Sequence, residues 1–201
     1  MFNEAAIILA AGQSTRMGVE NKLLLPVGQV PMIRHVVLQY RAAIDGPITV
    51  VTGYEASRVL NALKDIDVMC VFNPGFADGQ QGSVGIGLQH SPPANVLLIG
   101  LGDQPLLNTH DICALVAAHH RNAPDKVTIP EKGGKRGNPI VVPHRLRALL
   151  TADPDRPGCL QFTRANPSLT HRQQLNAQGF YADVDTPKEY SALCLTEGLS
   201  Q

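Results

Sequence analysis

The 201-residue sequence predicts a single α/β domain, 1–201, with helices covering both faces of a mostly parallel central sheet. Three observations carry that expectation. Apolar runs of strand length alternate with segments of helical period through roughly the first 120 residues. The first run is apolar at every position, as a strand buried on both faces requires. The 18 glycines and 15 prolines supply the turns that such alternation needs. Strand–helix–strand units in one sheet cross over right-handed, which makes their strands parallel.

The elements follow in order. Ala5–Ala11 is the first strand, ended by Gly12. Pro31 opens a helix at its first position, with Met32, Val36, Val37 and Tyr40 on one face. Ile48–Thr52 is β-branched and closed by Gly53, Ser57–Lys64 reads as helix, and Val68–Phe72 as a third strand. Ser83 caps a short helix through Gln89, and Val96–Gly100 is a fully apolar fourth strand. Thr109 then caps an amphipathic helix carrying Ile112, Cys113, Leu115 and Val116. The rest is less regular. Val127–Pro130 and Pro139–Pro143 are strands around a Gly/Lys loop, Glu131–Gly137, and helices follow near Arg145–Leu150 and Gly158–Arg164. Thr186-Pro187-Lys188-Glu189 is a capping box that starts a terminal helix.

Composition excludes several functions. Seventeen Lys+Arg against 17 Asp+Glu argue against a basic nucleic-acid-binding surface and against an acidic disordered tail. A content of 44% hydrophobic and 17% charged residues is that of a packed globule. The run from Ala5 to Ala11 is too short for a membrane span, and Asn3 and Glu4 before it are not a basic leader. A cytoplasmic protein without nucleic-acid or membrane partners is expected. Cys70, Cys113, Cys159 and Cys194 form no C-x-x-C pair and read as reduced, mostly buried thiols. His119 and His120, near a helix end, read as surface residues favoured by the helix dipole, not as zinc ligands.

The stretch from Leu9 to Pro26 holds the chemistry. Ala10, Ala11 and Gly12 end a buried strand where an open α/β sheet places its ligand crevice. Glycine there lets backbone N–H groups approach an anion, and Arg16 and Lys22 add positive charge. Five residues separate Gly12 from Gly18 and Leu23 follows Lys22, so the loop is no Walker A motif. G-x-G-x-x-G is absent after this strand, which argues against a nicotinamide cofactor.

Leu9-Ala-Ala-Gly-x-Ser14-x-Arg16-Met-Gly18, followed by Asn21-Lys22-Leu-Leu, resembles the signature loop of nucleotidyltransferases with a Rossmann-like three-layer sandwich of the glycosyltransferase-A type. Within them it most resembles the molybdenum cofactor cytidylyltransferases. Asn73-Pro74 with Gly79, Gly82, Ser83 and Gly87, then Gly102-Asp103-Gln-Pro105, then Asp183-Val-Asp185-Thr-Pro187 with Tyr190, match that group's later motifs in order.

The resemblance implies an Mg²⁺-dependent enzyme, with Mn²⁺ as an alternative, that moves CMP from CTP to molybdopterin-bound molybdenum and releases pyrophosphate. Arg16, Lys22 and Asp103 would be catalytic, the two cations facing the β- and γ-phosphates. Leu9, Ala10, Ala11, Gly12, Ser14, Asn73, Gly82 and Ser83 would bind the nucleotide. Asp103 and Asp185 would hold the metal; Asp183 shares a strand face with Asp185 and is equally placed for that role. Ala-Ala-Gly goes with cytidylyl transfer in these families, and Ala-Gly-Gly or Gly-Gly with guanylyl transfer, because a methyl at Ala11 narrows the base pocket; GTP stays open as the donor. Lys132 to Pro139 is a basic loop suited to a phosphorylated pterin, or a solvated hairpin. Asn138 stands where part of the family has His, and Leu160, after Asp155 and Gly158, where many relatives have Arg, which leaves the acceptor open. Two other readings stand beside this one: transfer to a sugar or polyol phosphate, and a non-catalytic nucleotide or cofactor chaperone. A recipient molybdoenzyme would be a partner of the first.

Overall fold

The computed structural model describes residues 2–18, 20–152 and 158–196. Asp155 lies outside them. The strands are β1 (Phe2–Ala10), β2 (Pro26–Val27), β3 (Val30–Pro31), β4 (Ile48–Thr52), β5 (Met69–Phe72), β6 (Ala94–Leu101), β7 (Val127–Lys132), β8 (Lys135–Arg136), β9 (Ile140–Pro143) and β10 (Thr170–Gln174). The α-helices are α1 (Met32–Ala43), α2 (Ala56–Leu63), α3 (Gln80–His90), α4 (Thr109–Asn122), α5 (His144–Arg147), α6 (Cys159–Ala165) and α7 (Pro187–Thr196).

The main sheet has eight strands in the order β10-β7-β9-β6-β1-β4-β5, with β8 paired to β7. β1 is parallel to both β4 and β6, and β4 to β5. β9 runs antiparallel between β6 and β7. The sheet is therefore mostly parallel, as the alternation of elements predicts. Alternate side chains of β1 serve opposite cores. Ala6, Ile8 and Ala10 pack with Ile33, Val36 and Tyr40 of α1, Val59 of α2 and Leu115 of α4. Ala5, Ile7 and Leu9 pack with Val84 and Leu88 of α3, Leu146 and Phe162. That two-sided burial is why the strand is apolar throughout.

Strand order reverses at β1. From it the chain builds outward through β4 and β5, then returns to lay β6 on the other side. Such a switch point leaves a crevice beyond the carboxyl ends of the two strands. Gly102 N–H donates to Leu9 O at 2.9 Å, so the end of β6 is tied to the end of β1.

Several local expectations are corrected. Pro31 is the N-cap of α1 and helix begins at Met32. Asn108, not Thr109, caps α4: its side chain accepts from Asp111 N–H, and the Asp111 carboxylate accepts from Asn108 N–H. Thr109 instead bonds Gln39 of α1. Ser83 caps nothing. α3 begins at Gln80 behind Gly79, which has φ 111°. β10 escapes the sequence reading because it is a polar sheet edge, Thr-His-Arg-Gln-Gln, without apolar alternation. The β2–β3 hairpin is equally silent at two residues per strand. The cysteines are all free, but only Cys159 and Cys194 are buried, Cys70 being half-buried and Cys113 exposed. Among the described residues no helix is long and apolar enough to cross a membrane.

His119 is not a surface residue. It is 0% exposed, and its Nδ1 lies 2.8 Å from Thr128 Oγ1 on β7. Burial, reinforced by His120 and His171, pulls its pKa down to about 4. Between that value and an unfolded-state pKa near 6.5 the unfolded chain binds the extra proton, so stability falls as pH drops through this window. Urea unfolding at pH 7.5 and 5.0 should show the parent losing about 2 kcal/mol more than His119→Gln.

Gly100 is required by contact. A Cβ built there would lie 1.9 Å from Tyr40 Oη, a hydroxyl that is itself buried without a hydrogen-bond partner. Gly100→Ala should cost about 2–3 kcal/mol by overpacking. Tyr40→Phe, which removes the clashing oxygen and an unsatisfied polar group, should recover part of that loss in the double variant. Chemical denaturation of both singles and the double checks it.

Candidate active site

A crevice of about 430 Å³ opens beyond the carboxyl ends of β1 and β6. Leu9 and Ala10 at the end of β1, and Ala11 and Gly12 just past it, line the crevice. A Cβ on Gly12 would meet nothing within 4 Å, so protein packing does not demand glycine at that position. The space beside it is open to a ligand.

The loop after Gly12 is shaped by short-range bonds. Ser14 takes a left-handed conformation, φ 53°, and its Oγ accepts from Lys22 N–H at 3.2 Å. Asn21 Oδ1 accepts from Leu23 N–H at 3.1 Å and caps the single 3₁₀ turn that carries Lys22. These two contacts aim Lys22 inward, where it is only 8% exposed. Lys22 Nζ donates to Asp103 Oδ2, and to Asp185 Oδ1 at 2.7 Å. Arg16 Nη2 reaches Asp185 Oδ2 at 2.8 Å from the solvent side, with its own side chain 67% exposed.

Asp103 sits just past β6, and Val184 N–H donates to Asp103 O at 2.9 Å, which lays the 183–185 segment alongside it. Gln104, buried, donates from Nε2 to Phe180 O at 3.3 Å and holds the same segment. Burial pushes the Asp103 carboxyl up; Lys22 opposes this, and repulsion from Asp183 and Asp185 adds to it. Burial alone would lower the Lys22 ammonium, but the paired carboxylates outweigh it and hold its pKa above the ordinary value. For Asp185, burial is outweighed by Lys22 and Arg16, and its pKa falls.

Asp103 Oδ1 is buried and has no hydrogen-bond partner. With Asp183 and Asp185 on the same crevice, it belongs to an all-oxygen donor set of the kind hard divalent cations take. Among the described residues no three acidic, His or Cys side chains form a ready cage. A cation held by one or two carboxylates plus phosphate oxygens does not need one.

The predicted site residues divide plainly. Leu9, Ala10, Ala11, Gly12, Ser14, Arg16, Lys22, Ser83, Asp103 and Asp185 all line the one crevice. Asn73 and Gly82 do not line it. Asn73 is 2% exposed and stands behind Ser83, donating from Nδ2 to Ser83 Oγ at 2.9 Å while its Oδ1 accepts from Gly75 N–H. Gly82 is exposed on α3, on the rim of a different hollow with Ile86 and Arg147. Gln13, Thr15, Phe76 and Gln80 also line the crevice, without a motif in the sequence that marks them. Phe76 lies on a short turn between β5 and α3, and a lone aromatic in a loop carries no spacing signal.

The sequence matches the MobA-like NTP transferase domain family over residues 6–170. It is 35% identical over 123 residues to the bifunctional protein GlmU of Geobacter sulfurreducens, a match covering 59% of this chain but only 25% of that protein. The chain thus spans about a quarter of the length of these curated relatives. Its fold is similar to that of a nucleotidyl transferase from Methanothermobacter thermautotroptrophicus, at TM-score 0.81, 21% identity and 97% coverage of both chains. It is also similar to the manganese complex of Rv0371c from Mycobacterium tuberculosis, at TM-score 0.70 and 21% identity over 95% of this chain and 97% of that one. A third solved structure of similar fold is the 4-diphosphocytidyl-2C-methyl-D-erythritol synthase of Anaerococcus prevotii, at TM-score 0.76 and 14% identity over 97% and 96% of the two chains. The match across residues 6–170 takes in the glycine loop, Asn73, Ser83 and Asp103 together, and the chain belongs to the MobA-like NTP transferase domain family.

Proposed function

We propose that this chain is a cytidylyltransferase that moves CMP from CTP to the phosphate of molybdopterin-bound molybdenum and releases pyrophosphate. The observation that carries the nucleotidyl-transfer reading is the meeting of Lys22 and Arg16 with Asp103 and Asp185 at the mouth of a glycine loop. A triphosphate needs cations, and a divalent metal beside it would need carboxylates to hold it. The family assignment supports the same chemistry. The molybdopterin acceptor rests on the resemblance of the sequence motifs.

In the reaction an acceptor phosphate oxygen attacks the α-phosphorus of CTP in line. A new P–O bond forms, the bond from the α-phosphorus to its bridging oxygen breaks, and that electron pair leaves with pyrophosphate. Lys22 exchanges its carboxylate partners for phosphate oxygens and, with Arg16, offsets the charge that grows on the leaving group. Ser83 Oγ accepts from Asn73, which leaves the Ser83 hydroxyl hydrogen to donate into the crevice toward the nucleoside. Ala11 narrows the pocket and favours a pyrimidine. Asp103 and Asp185 would hold Mg²⁺ or Mn²⁺, which when bound supplies positive charge against the phosphates; the manganese complex of the mycobacterial neighbour supports that fit.

A second reading keeps the transfer and changes the acceptor to a sugar or polyol phosphate. The structural likeness to an enzyme whose name places a cytidyl group on an erythritol favours it.

Incubation with labelled CTP or GTP, Mg²⁺ and either molybdopterin cofactor or a panel of sugar and polyol phosphates separates the readings. Label on the pterin with pyrophosphate release is expected; label only on a sugar or polyol phosphate selects the second reading, and nucleotide binding without turnover on any acceptor points to a chaperone. Asp103→Asn and Lys22→Met should each slow pyrophosphate release about 10²–10³-fold, as loss of one preorganised charge does elsewhere. Ala11→Gly should raise turnover of GTP relative to CTP. Initial rates with each nucleotide, on variants whose circular dichroism matches the parent, check both.

A further inference from the structure

A second hollow of about 620 Å³ adjoins the nucleotide crevice and shares Leu9, Gly79, Gln80 and Leu101 with it. Its apolar lining includes Val84, Ile99 and Ile140, all buried, and Leu160, which is 45% exposed. Polar groups come from Arg136, Asn138 and Gln161, and from Asp78, Gln80 and Gln81, which also line it.

Arg136 is the unusual member. It lies on β8 directly across from Glu131 on β7, where an antiparallel pair would ordinarily join the two charges. Glu131 is instead engaged by Arg172 and by Gln174 Nε2 at 3.2 Å, both from β10 on the other side. Arg136 turns to Thr163 on α6, donating from Nη1 to its Oγ1 at 2.7 Å. That hydroxyl gives its own hydrogen to Cys159 O at 2.7 Å, so it acts toward Arg136 only as acceptor. Arg136 forms no ion pair among the described residues. A guanidinium has five N–H donors, and a half-buried one without a counter-charge is costly.

The residue is also held in place. Gly137 N–H donates to Pro130 O at 2.8 Å and Asn138 N–H to Phe180 O at 2.9 Å, and a Cβ on Gly137 would lie 2.7 Å from Phe180 O. Arg136 and Asn138, two residues apart, both line the hollow. The neighbouring Arg164 and Arg172 reinforce the positive field around them.

We propose that this hollow is the acceptor site, and that Arg136 holds the anionic group of an organic phosphate whose body rests an apolar face on Val84, Ile99, Ile140 and Leu160. That an acceptor occupies the hollow rests on the nucleotidyl-transfer reading, but the anion site itself does not. An unpaired guanidinium selects phosphate, and the apolar lining selects a flat unsaturated body over a polyhydroxylated one. Nucleotide and acceptor would meet across Leu9, Gly79, Gln80 and Leu101, the residues common to both spaces.

Phenyl phosphate, a probe with both features, is titrated into the protein labelled with ¹⁵N-arginine, in the presence of saturating α,β-methylene CTP. The Arg136 Nε–Hε signal, assigned by its absence from Arg136→Gln, should shift on titration. Arg136→Gln should weaken phenyl phosphate binding at least tenfold, and Arg136→Lys, which keeps the charge, less so. Binding of the CTP analogue should stay within about twofold in both variants, and inorganic phosphate should bind more weakly than phenyl phosphate. Unchanged phenyl phosphate affinity in Arg136→Gln, with nucleotide binding intact, would overturn the proposal, as would a shift confined to Arg16. Failure of the CTP analogue to bind, with the Arg136 response to phenyl phosphate retained, would overturn the nucleotidyl-transfer reading and leave the anion site standing.

Discussion

One ammonium organises the centre of this molecule. Lys22 joins two carboxylates that lie 81 and 163 positions further along the chain, and Arg16 closes the array from outside. Desolvation works against ionisation of both carboxylates, and Lys22 opposes it at each. The arrangement depends in turn on backbone ties: Gly102 to Leu9, Val184 to Asp103, and the Gln104 side chain to Phe180. Removing any of these would separate charges that gain their worth from being close. Lys22 and Arg16 on one side and Asp103 and Asp185 on the other thus neutralise one another. In the proposed reaction both sets change partners together.

The net charge of zero fits this picture. Balance over the chain argues against a broad basic surface, yet it coexists with a strongly charged crevice. The same holds at the second hollow, where Arg136 lacks the carboxylate that stands opposite it because Arg172 has claimed that carboxylate. In both places the informative quantity is which opposite charges are within reach, not how many there are.

Much of the architecture is legible residue by residue. The unbroken apolar run of β1 announces two-sided burial, and the Ile48–Thr52 strand has the bounds its β-branched run suggests. The Thr186–Glu189 capping box is present, with Glu189 Oε2 accepting from Thr186 N–H at 2.8 Å. What escapes reading has a common cause. β10 is polar because it is an edge, Asn108 outcompetes Thr109 as a cap by one position, and His119 is buried because β7 folds over the end of α4. Each depends on a neighbour remote in sequence or on a competition between adjacent polar residues.

The sequence by itself determined the alternating fold, the glycine loop, and the residue types a phosphate-handling site needs, because strand and helix periodicity and backbone freedom are local properties. Only the tertiary structure decided which of those residues share one space. It brought Ser83 to the crevice and left Asn73 behind it as support, and it set Gly82 on another face. It set Asp185, and not Asp183, against Lys22 and Arg16. It also gave Glu131, the carboxylate opposite Arg136, to Arg172. Those outcomes follow from distances between segments, and a distance between segments exists only after the sheet has closed.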